Sequence, residues 1–188
     1  MSTIFVTASG TEIGKTFVTC LLIEQLKRNG TDVNALKPVV TGFDENDPAA
    51  SDSGLLLAAL GRSLDHENLE SISPWRFAAP LSPDMAAARE QRDVPFSALV
   101  EFCRDAASRG TTLIEGIGGV LVPLDGEHSV ADWIAALDAP AVLVTGSYLG
   151  AISHTLTAYE ALVSRDVETR GIIVSESDNQ PVLSLIHI

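Results

Sequence analysis

Basic residues are scarce in this chain. Across 188 residues, 12 Lys+Arg stand against 25 Asp+Glu, a formal net charge of −13. Such a surface repels phosphate backbones and anionic lipid heads, so neither nucleic acid nor a membrane is an expected partner. Cysteine is nearly absent: Cys20 and Cys103 are the only two, and they form no C-x-x-C pair. Each sits in an apolar helical stretch, where burial as a small hydrophobe is expected rather than chemistry at sulfur. No apolar run approaches the roughly 18 residues that cross a bilayer. The opening MSTIFVTASG lacks the basic leader and the apolar stretch with cleavage site of a secretion signal, so the cytoplasm is the expected compartment. Internal repeats and low-complexity tracts are missing too.

What the chain does have is the balance of a globular protein, 46% hydrophobic and 20% charged, at a length suited to a single core. Short β-rich runs alternate with helical patterns: TIFVTA, a helix over 15–29, DVNALKP, helices near 52–60 and 96–109, then TTLIEG. The alternation continues with SVADWIAAL as a helix capped by Ser129, AVLVTGS as a strand, GAISHTLTAYEALVSR as a helix and TRGIIVS as a strand. Near-continuous apolar strands mean that both sheet faces are covered, which predicts a three-layer αβα fold around a mostly parallel sheet. The stretch 61–83 breaks the pattern and reads as an irregular excursion or an antiparallel pair, ahead of a helix near DMAAARE.

In such sheets ligands gather where the carboxyl ends of strands open into loops. The run VTASGTEIGKTFVTC, residues 6–20, has the strand-loop-helix context of a phosphate-binding loop, which makes the expected fold P-loop NTPase-type. Its spacing departs from G-x-x-x-x-G-K-[ST], because Ser9 stands where the first glycine belongs and Gly10 follows. Backbone N–H groups of Gly14, Lys15 and Thr16 can point at phosphate oxygens; Lys15 adds a positive charge, and the Thr16 hydroxyl suits Mg²⁺. An acidic protein that binds polyphosphate must assemble such a local positive site from lysines, helix N-termini and a divalent metal. Lys37 closes the second strand, in the expectation that this strand neighbours the phosphate loop. Glu115 ends an apolar strand in an acid, an arrangement that aims a carboxylate at Mg²⁺, and Gly116, Gly118 and Gly119 permit close backbone approach. Asp52 is ambiguous, since Ser and Asp before an apolar run more often cap a helix than hold metal.

Taken in order and spacing, VTASGTEIGKT, LKPVVTG, Ser51-Asp52, LSPDMAA, LIEGIGGVLVPL, VADW and LGAISHTLTAYEAL resemble the ATP-dependent dethiobiotin synthetases, nearly end to end. The family's loop spells G-T-D-T-x-V-G-K-T, so the odd spacing is a family trait, while Ala8 in place of the leading glycine is this chain's own departure. The resemblance implies ATP-dependent ring closure of 7,8-diaminopelargonate with carbon dioxide, through a carbamate and a carbamic-phosphoric anhydride. It implies that Lys15 and Lys37 clamp carbamate and γ-phosphate, and that Thr16, Asp52 and Glu115 hold Mg²⁺. Thr11, Glu12 and Thr41 would line the phosphate and carbamate pocket, with Ile13, Gly14 and Gly118 beside them.

The resemblance further implies a homodimer, with Gly150 and Ser153 meeting the diamine across the interface, although the family usually has Asn at the position of Ser153. The family's adenine-contacting Asn-Asp pair corresponds to Ser175-Glu176. His154 matches a family position, but a lone His on an amphipathic helix more often packs than reacts. Family members carry a further strand and helix where DNQPVLSLIHI stops, so a C-terminal truncation, with LSLIHI not native, is the expectation, and the sequence leaves open whether the whole tail PVLSLIHI is native. Two alternatives stay open. One is a nucleotide switch of the partitioning or septum-positioning kind, against which the loop's missing leading lysine counts; the other is a cobyrinate-synthetase-like enzyme.

Overall fold

A computed structural model of the chain describes residues 2–176, so the expectations for the tail from residue 177 onward lie outside the described residues. Five parallel strands make the central sheet, in the order β2 (Val33–Leu36), β5 (Thr111–Glu115), β1 (Thr3–Ala8), β6 (Ala141–Gly146), β7 (Thr169–Ser175). Residues alternate between faces along β1. Phe5 meets Trp133 of α6 (Val130–Leu137) edge-on at 4.8 Å, while Val6 and Ala8 pack with Val18 of α1 (Lys15–Arg28). Helix α1, with α2 (Asp52–Leu60) beside it, therefore covers one face. Helices α5 (Phe96–Ala107), α6 and α7 (Ala151–Val163) cover the other. This is the expected αβα sandwich.

Helix α6 begins where expected. The Ser129 hydroxyl accepts from the Asp132 N–H at 3.5 Å, and the Asp132 carboxylate accepts from the Ser129 N–H at 2.7 Å. The same carboxylate takes the Arg165 guanidinium at 2.7 Å, tying α6 to the end of α7. Burial works against its charge, but Arg165 and Ser129 prevail and hold its pKa at about 2.

Two expectations need correction. The stretch 61–83 holds α3 (His66–Ile72) and β4 (Trp75–Phe77); β4 pairs in parallel, not antiparallel, with β3 (Val39–Thr41) in a separate two-stranded sheet. Helix α4 (Pro83–Arg89) follows. The Pro38 carbonyl accepts the Trp75 N–H, and the Ile72 carbonyl accepts the Lys37 N–H, so this excursion is stitched to the end of β2 and runs beside it. Second, β5 separates β2 from β1, so Lys37 does not leave the strand next to the phosphate loop. Cys103 is buried as expected, whereas Cys20 is only half-buried; burial and nearby Glu115 push its thiol up to about 11, so neither sulfur is a thiolate at neutral pH. Among the described residues no helix is long and apolar enough to cross a membrane.

Candidate functional site

The loop between β1 and α1 bends through two left-handed residues, Glu12 at φ 57° and Gly14 at φ 89°. Alternation of this kind turns successive N–H groups into a concave anion nest that leads into the N-terminus of α1. Glycine is required at position 14 for two reasons: its φ, and the Ser175 Oγ that would stand 2.8 Å from any Cβ placed there. The end of β7 thus abuts the loop, with Ser175 beside Gly14. Ser9, the residue in place of a glycine, donates its hydroxyl to Thr145 Oγ1 at 3.0 Å and anchors the loop to β6.

A cavity of about 350 Å³ opens over this loop, lined by Thr11, Glu12, Ile13, Gly14, Lys15, Thr16, Lys37, Thr41, Asp52, Ile117 and Gly118. Strands β1, β5 and β2 end side by side, so residues far apart in sequence converge on it. Ile117 was not singled out in the sequence; its only signal is its place inside the Gly116–Gly119 run. Glu115 does not line the cavity. It lies beneath, fully buried, where its Oε1 accepts from Thr16 Oγ1 and from Lys37 Nζ, each at 2.8 Å.

Lys37 is 2% exposed and uses all three of its N–H bonds: Glu115 Oε1 at 2.8 Å, the Gly116 carbonyl at 2.8 Å, and Asp52 Oδ2 at 3.0 Å. Burial alone would lower its pKa, but the charges of Glu115 and Asp52 and their hydrogen bonds outweigh it, and the pKa is raised. Lys15 has the opposite fate. Burial, with the neighbouring Lys37 charge, lowers it to about 8 against the pull of Glu115 and Asp52. Asp52 is the first residue of α2, and Ser51 supplies the cap, accepting from the Gly54 N–H at 3.1 Å. The Asp52 carboxylate is therefore free of capping duty. Burial opposes its charge, yet Lys37 and Thr16 hold it below the usual carboxylate range.

These oxygens suit a small hard cation. Thr16 has one hydroxyl proton but stands 2.8 Å from Asp52 Oδ1 and 2.8 Å from Glu115 Oε1, so one short contact lacks a proton. Glu115 Oε2 is buried with no partner among the described residues. Acceptors exceed protons, and two carboxylates plus a hydroxyl match Mg²⁺, which uses few protein ligands and completes its shell with water and phosphate. Among the described residues no group of three or more His, Cys, Asp or Glu competes for this role.

Gly150 and Ser153 are not brought to this cavity. They sit at the exposed start of α7. His154 is also exposed rather than packed, its Nδ1 2.8 Å from the Tyr148 hydroxyl, and it borders a second cavity of about 390 Å³ that shares Thr11 with the first.

A glycine-bent loop joining a central parallel strand to a helix, with Lys-Thr at the helix start and an acid ending the next strand, defines a P-loop-type nucleotide-binding αβα protein. Solved structures agree at the level of fold alone. The kinase domain of the Escherichia coli tyrosine kinase ETK aligns with TM-score 0.55 at 13% identity, over 96% of this chain and 70% of its own. MinD in the MinC:MinD cell division complex of Aquifex aeolicus falls in the same class, that complex aligning with TM-score 0.54 at 13% identity over 93% and 67%. A family model described as an AAA domain matches residues 2–187. The chain is 48% identical to the ATP-dependent dethiobiotin synthetase BioD of Acidiphilium cryptum, over 97% of this chain and 83% of that protein. It is 50% identical to the enzyme of the same name from Methylobacterium nodulans, over 96% and 84%. The chain belongs to the ATP-dependent dethiobiotin synthetase family.

Proposed function

We propose that the chain closes the cyclic urea of dethiobiotin from 7,8-diaminopelargonate, carbon dioxide and ATP, in biotin biosynthesis and in the cytoplasm. One amine adds to carbon dioxide and loses a proton, giving a carbamate. A carbamate oxygen then attacks the γ-phosphorus and the β–γ bridge breaks. Finally the second amine attacks the carbonyl of the mixed anhydride, closing the ring and releasing phosphate. The single observation carrying this reading is that Lys15 at the start of α1 and Lys37 just after β2 border one cavity together with the phosphate loop and Asp52. Negative charge grows on transferred oxygens at each step, and fixed cations stabilise it best where water is excluded. Lys15 contacts phosphate, Lys37 the carbamate and γ-phosphate, and Thr11, Glu12, Ile13, Gly14, Gly118 and Ser175 shape the nucleotide and substrate contacts, with Thr41 on the carbamate side. Mg²⁺, held by Thr16, Asp52 and Glu115, would neutralise phosphate charge. Phosphate release from MgATP measured with and without the diamine and bicarbonate tests the reading. Dependence on both supports it; dependence on neither, or on a protein partner, rejects it.

Lys15 yields a pH prediction. Between about 8 and 10.5 the unfolded chain binds a proton that the folded chain has released, so stability rises with pH across that window and the cost of burying the ammonium is full below it. Phosphate beside Lys15 restores the proton. Calorimetry of ATP binding near pH ~8.5 in buffers of differing ionisation enthalpy should show proton uptake, lost in Lys15→Met. Binding without uptake would remove Lys15 from the phosphate contacts.

The homodimer belongs to the same proposal. Ile152, Leu156, Tyr159 and Val163 are 44%, 56%, 40% and 51% exposed, at spacings of four, three and four that align them along one side of α7, and Leu149, 95% exposed, stands in the turn just before the helix. From 149 to 163 Glu160 is the only residue among Asp, Glu, Lys and Arg, with His154 the one imidazole, in a chain of net charge −13, so two copies can approach here with little like-charge repulsion. Gly150 and Ser153 at the head of this seam would serve the partner's diamine. Leu156→Glu should convert the sedimenting species from dimer to monomer; an unchanged mass would move the interface elsewhere.

A further inference from the structure

The cation-suited cluster depends on where the N-terminus of α2 stands, because Asp52 is its first residue. Besides the contacts of Asp52 itself with Lys37 and Thr16, three features of Ser51, Ser53 and Gly54 bear on that end. The Ser51 hydroxyl donates to the Pro48 carbonyl at 2.6 Å, and Gly54 lies flat against the Pro48–Ala50 turn, so these two fix α2 only to its own lead-in. The third is different. Ser53 and Ser73 are both fully buried, and their hydroxyls meet at 2.6 Å across a sequence gap of 20. Ser73 follows Ile72, whose carbonyl accepts the Lys37 N–H at 3.0 Å.

These links close a loop: Lys37 Nζ to Asp52, Asp52 to Ser53 along the chain, Ser53 to Ser73 through hydroxyls, Ser73 to Ile72 along the chain, and Ile72 back to the Lys37 backbone. Ser73 is itself fixed, since its carbonyl accepts from the Arg76 guanidinium, which is clamped by Glu70 and lies over the Phe43 ring. We propose that the Ser53–Ser73 hydroxyl pair is a positioning device that sets the Asp52 carboxylate against the Lys37 ammonium and so preforms the cation and phosphoryl site. Neither serine lines the cavity or reaches a reacting group. Two hydroxyls rather than two methyls stand here because a hydrogen bond fixes distance and direction, while apolar packing tolerates sliding. The turnover part of this inference rests on the functional reading above, but the positioning part does not.

The test uses Ser53→Ala, Ser73→Ala and the double variant in the whole chain. Each single variant leaves one buried hydroxyl unpaired and lowers the melting temperature; removing both relieves that defect, so the double variant recovers stability. Positioning does not recover. In metal-free protein with labelled lysine, the Lys37 ammonium signal, slowed in exchange by its three hydrogen bonds, should broaden in all three variants, as is expected for Asp52→Asn. Mn²⁺ uptake with a non-hydrolysable ATP analogue, read by EPR, should weaken by about tenfold, and kcat should fall while KM for ATP holds. If the double variant recovers the ammonium signal together with its melting temperature, the pair is only structural and the proposal fails. A parent chain that shows the ammonium signal, loses it in the variants, yet never releases phosphate would overturn the functional reading and leave the positioning pair standing.

Discussion

Lys37→Gln should stop turnover and weaken the fold together. Among the described residues the ammonium is the one cation touching both Glu115, fully buried, and Asp52, and its removal leaves two carboxylates sharing a single Thr16 hydroxyl proton. Breaking one side of a buried ion pair costs about 3–5 kcal/mol, far more than the pair itself contributes over an apolar replacement. Phosphate release should fall by about 10²–10³-fold, the usual effect of losing one fixed donor at a developing charge, while ATP affinity changes less. Adding Glu115→Gln should restore most of the stability in urea unfolding without restoring turnover. A single variant that unfolds like the parent would mean that Lys37 is not the counter-ion seen here; unchanged turnover would remove it from the chemistry.

Gly54→Ala is the second large effect, and its sign runs against propensity. Alanine in a helix is ordinarily favoured over glycine by about 1 kcal/mol. Here a Cβ would stand 2.3 Å from the Pro48 carbonyl oxygen, 2.7 Å from that of Ala49 and 2.9 Å from the Ala49 Cα, all backbone atoms that cannot swing aside. Either the turn at Pro48–Ala50 or the start of α2 must shift. Overpacking of this kind costs about 1–3 kcal/mol, which exceeds the propensity gain. The shift also carries Asp52 away from Lys37 and Thr16, and a displacement of about 1 Å at a reacting constellation is worth about 10²-fold in rate. Thermal melting and phosphate release should therefore fall together in Gly54→Ala. A variant more stable than the parent would show that the turn yields freely.

The αβα layering was legible because local codes repeat: apolar strand runs, a cap at Ser129, and helical spacing each act within one turn or one pleat. The phosphate loop was legible for the same reason, since strand, bend and Lys15-Thr16 lie within about a dozen residues. Lys37 and Glu115 could be named from strand ends, while Asp52 stayed ambiguous until the family resemblance singled it out. Their partners could not.

By itself, then, the order of amino acids determined the layers and the phosphate loop, since these follow from backbone preference and burial within short windows. Only the tertiary structure decided that β5 lies between β1 and β2, that β4 pairs in parallel with β3, that Lys37 is tied to Glu115 across a sequence gap of 78, and that Ser53 meets Ser73. Such contacts have no local code. They arise when the whole core closes and each buried charge or hydroxyl must find a partner or lose its hydration uncompensated.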